Sequence, residues 1–236
     1  MGQYFHIENL RLQVGDRNLF FINKLSFDKG DRVRITGESG VGKSQLLKGL
    51  CLKRSLSFDR FHISGRDAHE QRPMDFFYLF KNQNFGPGCL KWHINEITGF
   101  KTHRKKNVDV QMIMLELQKF FPNLSSETEY AGLSSGQKEV FHLVLALSLS
   151  PKVLGLDECL HSIDKLLRAK VQKYLIERYR GLIIFVHHGD NESFLNPTKV
   201  LNLRDLSLEK KSLESEEYGS SGHVENYDRP FDSQSL

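Results

Sequence analysis

The sequence has little cysteine, and its few cysteines show no pairing pattern. Three cysteines occur among 236 residues, and no two of them stand in a C-x-x-C spacing. An odd number without that spacing argues against a disulfide framework and against a cysteine-based zinc site, and it favours a reducing compartment.

Long apolar runs are also absent. The longest run, from about Val140 to Leu149, is interrupted by His142 and Ser148. It is too short to span a bilayer, which needs about 20 apolar residues. Residues 1–6 have neither a basic start nor an apolar core, so we expect no secretory signal. A hydrophobic content of 39% and a charged content of 26% are typical of a globular protein.

Neither sign of charge is in large excess, but the charge is unevenly distributed. The formal net charge is +4; residues 209–236 carry −4, so residues 1–208 carry +8. A mildly basic body is compatible with polyanionic ligands such as nucleotides, without proving contact with them. The acidic segment 209–236 is rich in Ser, Glu and Gly and has few apolar residues, so we expect it to be disordered.

Short apolar runs alternate with helical patterns along the chain. Residues 4–36 alternate apolar and polar positions, which predicts strands joined by hairpin-like turns. Beyond them the pattern predicts helices over 44–53, 108–121, 136–149 and 163–179, and strands over 58–65, 74–80, 153–156 and 182–186. Gly181 suits the C-terminus of the last helix. Helices that alternate with short apolar strands indicate an α/β fold with a parallel sheet covered on both faces.

The stretch 37–44 matches the phosphate-binding pattern G-x-x-x-x-G-K-S, which an isolated surface turn can also match by chance. Here it follows a strand pattern at 32–36 and precedes a helical pattern, which is the context that the motif requires. Its glycines can adopt positive φ and point backbone N–H groups at a phosphate, and the helix N-terminus adds to that attraction. In this interpretation Lys43 reaches the terminal phosphates and the Ser44 hydroxyl holds Mg²⁺. The candidate nucleotide-binding residues are Gly37, Glu38, Ser39, Gly40, Val41, Gly42, Lys43, Ser44 and Gln45.

Two adjacent acids, Asp157 and Glu158, follow the apolar strand 153–156. The carboxyl edge of a parallel sheet is where such folds bind ligands. Asp157 would hold Mg²⁺ through water, and Glu158 would act as general base for a water that attacks the γ-phosphate. On their own, two acids after a strand are equally compatible with a solvated pair, but the upstream phosphate loop favours the catalytic interpretation.

The segment 133–138, Leu-Ser-Ser-Gly-Gln-Lys, resembles the L-S-G-G-Q signature of ATP-binding cassette (ABC) ATPases. It lies one predicted helix ahead of the Asp-Glu strand, as in that family. At a helix start its backbone N–H groups form a ready anion site. The resemblance implies that the signature contacts ATP bound to the other subunit of a dimer, through Ser134, Ser135, Gly136 and Gln137.

Other positions match the family in the expected order. Gln83 resembles the glutamine that contacts Mg²⁺ in the Q-loop, and Asp164 in Ser-Ile-Asp resembles the D-loop acid. His188 resembles the switch histidine that contacts the γ-phosphate, and a neutral imidazole can donate one hydrogen bond while accepting another. The resemblance therefore adds His188 to Glu158 as a catalytic residue and adds Gln83 to Ser44 and Asp157 as a metal-binding residue.

The resemblance covers about residues 4–205 and implies an α/β P-loop NTPase of ABC type. Its expected parts are a mainly parallel core sheet, an N-terminal antiparallel β subdomain and an inserted helical subdomain. We expect the ATPase domain to span 1–208, with the helical subdomain at 84–132, and the acidic tail to span 209–236.

The resemblance also implies a function and partners. The leading hypothesis is an ATP-hydrolysing subunit of a membrane transporter, using ATP and Mg²⁺ and forming a head-to-tail homodimer or heterodimer of ATPase domains. It would bind a transmembrane permease subunit at the cytoplasmic face of the membrane, as a peripheral protein without direct nucleic-acid contact. The alternatives are an ABC-type ATPase that remodels a nucleic-acid or ribosomal assembly, and a regulatory module that binds nucleotide without turnover.

The sequence departs from the family pattern at several positions. Val14 stands where the family often stacks adenine on a tyrosine, and Ser135 replaces the first glycine of the signature. Glu38 places an acid within the phosphate loop, and we expect its side chain to point outward because an inward carboxylate would repel phosphate. The residues that carry the chemistry are retained, so we predict an active ATPase.

Overall fold

Two sheets organise the part of the chain that the structure describes. The structure, a computed structural model, describes residues 4–14, 17–54, 56–99, 109–187 and 194–204. The strands in these ranges are β1 (Phe5–Val14), β2 (Arg17–Phe27), β3 (Arg32–Thr36), β4 (Arg60–Ile63), β5 (Arg66–Asp67), β6 (Phe76–Phe80), β7 (Val153–Asp157), β8 (Leu182–Val186) and β9 (Lys199–Asn202). The helices are α1 (Lys43–Leu50), α2 (Leu90–Gly99), α3 (Val110–Gln118), α4 (Ser135–Ser148) and α5 (Lys165–Arg178).

The N-terminal strands form an antiparallel sheet in the order β2-β1-β4-β5. In β1 the side chains of Phe5, Ile7, Leu10 and Leu12 are fully buried. Asn9 has a φ of 51°, and around it the buried positions change from odd to even residue numbers. The antiparallel pattern predicted for residues 4–36 is therefore present in β1 and β2.

The second sheet is parallel, in the order β6-β7-β8-β3-β9. Alternate residues of its central strands enter two different cores: in β8, Ile183 and Phe185 pack with the helical side, whereas Leu182, Ile184 and Val186 pack with α1 and the antiparallel sheet. Because both faces are covered, β7 and β8 are buried at each residue, which explains their continuously apolar sequences. The prediction of a mainly parallel sheet accompanied by an antiparallel one is confirmed.

Several predicted boundaries were displaced. Residues Pro73–Asp75 form a 3₁₀ turn, so β6 begins at Phe76 rather than at residue 74. Helix α5 ends at Arg178, and Gly181 does not cap it: a Cβ at Gly181 would lie 2.7 Å from the Lys152 carbonyl oxygen, so close packing requires the glycine. The sequence patterns also did not predict α2 or β9.

Gly155 in the middle of β7 gives a test of the packing. A Cβ at this position would overlap the Cys51 sulfur and lie 3.3 Å from Leu47 and from Tyr78. Gly155→Ala is therefore expected to lower the free energy of unfolding by about 1–3 kcal/mol through overpacking. Chemical denaturation measures the change. Gly132→Ala is the matched control, since a Cβ there meets nothing within 4 Å; equal stability of the two variants would contradict the prediction.

Candidate functional site

The phosphate loop joins β3 to α1 at the carboxyl edge of the parallel sheet. Lys43, only 7% exposed, folds back over the loop, and its Nζ donates hydrogen bonds to the carbonyl oxygens of Gly37 at 3.0 Å and Glu38 at 2.7 Å. The ammonium group is thus held at the loop by carbonyl groups that a phosphate oxygen can replace. Such a loop followed by a helix is a ready anion-binding site.

Gly42 shows why the loop needs glycine. It precedes α1 with a φ of 105°, and a Cβ there would lie 3.0 Å from the Phe20 ring. No side chain caps α1, so the first N–H groups of this helix remain directed at the loop. Glycine at position 42 therefore allows both the turn and the close approach of the antiparallel sheet.

Glu38, Ser39 and Gly40 form the exposed part of the loop. Glu38 points outward as expected: its Oε1 accepts hydrogen bonds from the Arg204 guanidinium, including one of 3.1 Å from Nε, and this contact lowers the pKa of Glu38. Ser39 and Gly40 are exposed, and Val41 packs partly against the core that lies on the α1 side. Gln45 is bonded through its Oε1 to the Arg54 side chain.

Ser44 and Asp157 meet at the sheet edge, although 113 residues separate them. The Ser44 hydroxyl donates to Asp157 Oδ1 at 2.9 Å, and the Tyr78 hydroxyl donates to Asp157 Oδ2 at 2.5 Å. Burial and the bond to Asp157 raise the pKa of Tyr78, which keeps the phenol protonated as a donor. A hydroxyl oxygen beside a carboxylate is the donor set that Mg²⁺ uses at phosphate sites, so these residues fit that metal.

Glu158 lies directly after β7 in an unusual backbone conformation. Its φ is 53°, and its N–H donates to the Val186 carbonyl oxygen at 3.0 Å. A left-handed non-glycine residue held by its neighbours is common where a functional side chain must point in a set direction. The Glu158 side chain is 29% exposed, and its Oε2 lies 4.0 Å from the Lys81 Nζ.

Ser134 caps the N-terminus of helix α4 through a reciprocal capping box. Its hydroxyl accepts from the Gln137 N–H at 3.2 Å, and the Gln137 side-chain oxygen accepts from the Ser134 N–H at 2.8 Å. The N–H groups of Ser135 and Gly136 are not used by this box. A Cβ at Gly136 would lie 2.7 Å from the Ile163 side chain, so glycine allows α4 to approach the segment before α5.

That segment connects β7 with α5 and packs against the start of α4. Asp164 caps α5 by accepting hydrogen bonds at 2.9 Å from the N–H groups of Leu166 and Leu167. The Glu139 carboxylate of α4 accepts from the Ser162 N–H at 3.2 Å. The predicted signature and D-loop segments are therefore in direct contact.

Gln83 and His188 are the remaining predicted site residues. Gln83 lines a cavity of about 240 Å³ together with Ser135, Glu139 and Ser162, and its side-chain oxygen is buried there without a hydrogen-bond partner. His188 and the side chain of Val14 lie outside the described residues. The assignments of Gln83 and His188 stay predictions, as do the roles of the other site residues.

Sequence reasoning missed three residues of the site: Lys81, Tyr78 and Arg204. Tyr78 lies within β6 and Lys81 directly follows it; β6 pairs with β7 so that Phe80 lies opposite Asp157. The position of Lys81 just after a predicted strand that ends at residue 80 was a usable signal, since the carboxyl ends of parallel strands share one edge. Arg204 follows β9, which the sequence patterns did not reveal.

A buried aromatic and histidine cluster links the segment after β6 to α4. His142 Nε2 lies 2.9 Å from the Tyr130 hydroxyl, and the His142 ring packs 4.2 Å from the Phe85 ring. The Tyr130 hydroxyl also donates to the Gln83 carbonyl oxygen at 3.4 Å. Burial, with smaller contributions from His93 and Lys138, lowers the pKa of His142 to about 4.

The lowered pKa of His142 makes stability depend on pH. In the unfolded chain this group takes up a proton below its ordinary value of 6.5, whereas in the folded protein it stays neutral until about pH 4. The contribution of His142 to the free energy of unfolding is thus fully present above pH 6.5. It decreases as the pH falls towards 4, by about 3 kcal/mol in total. His142→Gln should lose this part of the pH dependence in denaturation curves recorded from pH 7.5 to 4.5; parallel curves for both proteins would contradict the assignment.

The fold and the loop-and-carboxylate arrangement are those of a P-loop nucleotide-binding protein. A family model described as ABC transporter matches residues 22–161. The chain belongs to the ABC transporter family, since that model covers more than half of its residues. The family predicted from the sequence is thereby confirmed.

Individual relatives agree with that assignment. The chain is 27% identical over 226 residues to the sublancin-168-processing and transport ATP-binding protein SunT of Bacillus subtilis, covering 90% of this chain and 32% of that protein. It is 28% identical over 200 residues to a probable sulfate/thiosulfate import ATP-binding protein of Chlorella vulgaris, covering 79% of this chain and 81% of the relative. The chain therefore spans about a third of the length of the first relative and most of the second.

A solved structure shares the fold. The cbiO1 protein of Clostridium perfringens, part of the ABC transporter complex cbiONQ, superposes with a TM-score of 0.69 at 18% identity, covering 91% of this chain and 94% of that one. Among the described residues, no helix combines the length and the apolar character that crossing a membrane requires.

Proposed function

We propose that this chain binds and hydrolyses ATP as the energising subunit of an ABC membrane transporter. The observation that carries the proposal is the meeting of Lys43, Ser44 and Asp157 at one edge of the parallel sheet, with Glu158 beside them. Membership of the family supports the transporter context.

The phosphate loop would bind ATP through groups that it already presents. Lys43 would exchange the carbonyl oxygens of Gly37 and Glu38 for oxygens of the terminal phosphates, gaining charge-assisted hydrogen bonds. The outward direction of the Glu38 carboxylate keeps a negative charge away from that contact. When bound, Mg²⁺ would be held by Ser44 and Asp157, with Gln83 as a further candidate, and would supply positive charge beside the phosphates.

Glu158 would serve as the base in hydrolysis. The oxygen of a water molecule bonds to the γ-phosphorus, and one proton of that water passes to the Glu158 carboxylate. The bond between the γ-phosphorus and the bridging oxygen breaks, and its electron pair leaves with ADP. The family resemblance adds His188, whose neutral imidazole can donate a hydrogen bond to the γ-phosphate.

A second ATPase domain would complete the site. The unused N–H groups of Ser135 and Gly136, with the Ser134 side chain, form an anion site at the start of α4. In a head-to-tail dimer, homodimeric or heterodimeric, this site of one domain would face the γ-phosphate on the other. ATP would then favour the closed dimer because it contacts both domains only in that state.

A transmembrane permease subunit is the proposed partner. We place its docking face on the helical segment 84–132, within an ATPase domain of residues 1–208 that is followed by the tail 209–236. The subunit would then lie at the cytoplasmic face of the membrane without crossing it.

Affinity purification tests the proposal. Tagged full-length chain is isolated from detergent-solubilised membranes and from the soluble fraction, and its phosphate release from MgATP is measured. ATPase activity and recovery with a protein that has several apolar runs of about 20 residues support transport. Recovery with nucleic acid or ribosomes, resistant to high salt and without a multi-span protein, supports the alternative function instead.

A further inference from the structure

Lys81 is the first residue after β6, and the backbone places it beside the hydrolytic carboxylates. Phe80 pairs with Asp157 across the parallel ladder, and the Lys81 N–H donates to the Asp157 carbonyl oxygen at 3.0 Å. The main chain of Lys81 is therefore fixed by the residue that immediately precedes Glu158.

The Lys81 side chain extends towards Glu158. Its Nζ lies 4.0 Å from Glu158 Oε2, with the lysine side chain 48% and the glutamate side chain 29% exposed. The ammonium group also acts on Glu139: burial raises the pKa of that carboxyl, while Arg168 and Lys81 act to lower it. Lys81 is thus a cation that pairs with Glu158 and acts electrostatically on Glu139.

We propose that Lys81 is a positioning residue for Glu158, an ion-pair partner that holds the carboxylate in the orientation needed to accept a proton from the attacking water. The inference rests on the proposed ATPase function. Glu158 leaves β7 with a φ of 53°, and beyond that backbone constraint its side chain still has rotatable torsions. A cation anchored at the same edge of the sheet attracts the carboxylate and so restricts those torsions.

The geometry separates this role from nucleotide binding. Lys81 does not belong to the phosphate loop, where Lys43 supplies the positive charge for the phosphates. Loss of the Lys81 charge should therefore act on the turnover step, so that kcat falls while KM for ATP stays nearly constant. A half-exposed ion pair contributes little to stability, so the variants should fold.

The test compares Lys81→Met with Lys81→Arg in the full-length protein. Methionine keeps much of the length of the lysine side chain and removes its charge. The kcat of Lys81→Met is expected to be about tenfold lower than that of the wild type, with KM for ATP changed by less than about twofold. Arginine keeps the charge and should retain at least about half of the wild-type kcat. Lys173→Met is the matched control, because Lys173 forms a similar pair with Glu177 at 3.9 Å on α5; it should behave as wild type.

Each outcome decides the inference. A low kcat for Lys81→Met, rescued in Lys81→Arg, supports it. The inference is overturned if Lys81→Met has an unchanged or higher kcat, if only its KM changes, or if both variants lose kcat equally. In each of these cases ATPase activity of the wild type leaves the proposed function standing. A wild-type protein that releases no phosphate in the presence of its permease overturns the proposed function and this inference together.

Discussion

Glu158→Gln is expected to lower kcat for ATP hydrolysis by about 10²–10⁴-fold, because the amide cannot accept the proton of the attacking water. ATP affinity should be retained, since the phosphate loop and the Ser44–Asp157 pair are untouched. Phosphate release measures the first quantity, and titration with a fluorescent ATP analogue measures the second. With ATP bound but not hydrolysed, the variant should also accumulate as a dimer in size-exclusion chromatography with MgATP.

Two results would contradict this prediction. Equal, nonzero rates for the wild type and Glu158→Gln would remove Glu158 as the base. A variant that stays monomeric at saturating MgATP, even with its permease, would argue against the head-to-tail dimer. Glu127→Gln is the matched control, because Glu127 is an exposed acid paired with Lys91 at 3.8 Å and is remote from β7 in sequence.

Lys43→Met is expected to weaken ATP binding by about 10–100-fold, which corresponds to the loss of charge-assisted hydrogen bonds worth about 1.5–3 kcal/mol. The Lys43 side chain is 7% exposed. Among the contacts of the described residues, its Nζ donates hydrogen bonds only to the carbonyl oxygens of Gly37 and Glu38 in the loop. Calorimetric titration with ATP and Mg²⁺ gives the affinity. The thermal midpoint without nucleotide should change little, because methionine can fill the same space.

The Lys173→Met protein again provides the comparison, since it removes one positive charge far from the loop in sequence. If it lost ATP affinity to the same extent as Lys43→Met, general electrostatic attraction rather than contact would explain binding. An unchanged affinity in Lys43→Met would remove the assigned role of the loop.

The local structure around the candidate site residues is encoded in contiguous segments. The loop glycines, the helix start near Ser134 and the strand that ends at Asp157 could therefore be predicted from spacing and neighbours, whereas the roles of these residues stay predictions. Strand β8 was predicted with its observed bounds because it is buried on both faces and its run of apolar residues is uninterrupted.

Contacts between distant segments could not be predicted from such patterns. The Ser44–Asp157 hydrogen bond and the Lys81–Glu158 pair depend on which strands are neighbours in the sheet, and strand order is not visible in a local window.

Two strands show why local patterns also fail in places. The positive φ of Asn9 shifts the buried positions in β1, which a strict two-residue period would misplace. Strand β9 has exposed and partly buried residues, so it lacks the apolar signature of its neighbours.

The burial of two cysteines has a practical consequence. Cys51 is fully enclosed and burial raises the pKa of its thiol to about 12, while burial also raises the pKa of Cys159, so neither forms a reactive thiolate near neutral pH. Cys89, just before α2, is partly accessible. A maleimide dye should therefore attach selectively at Cys89, which gives an optical reporter on the proposed permease-docking segment without any engineered residue.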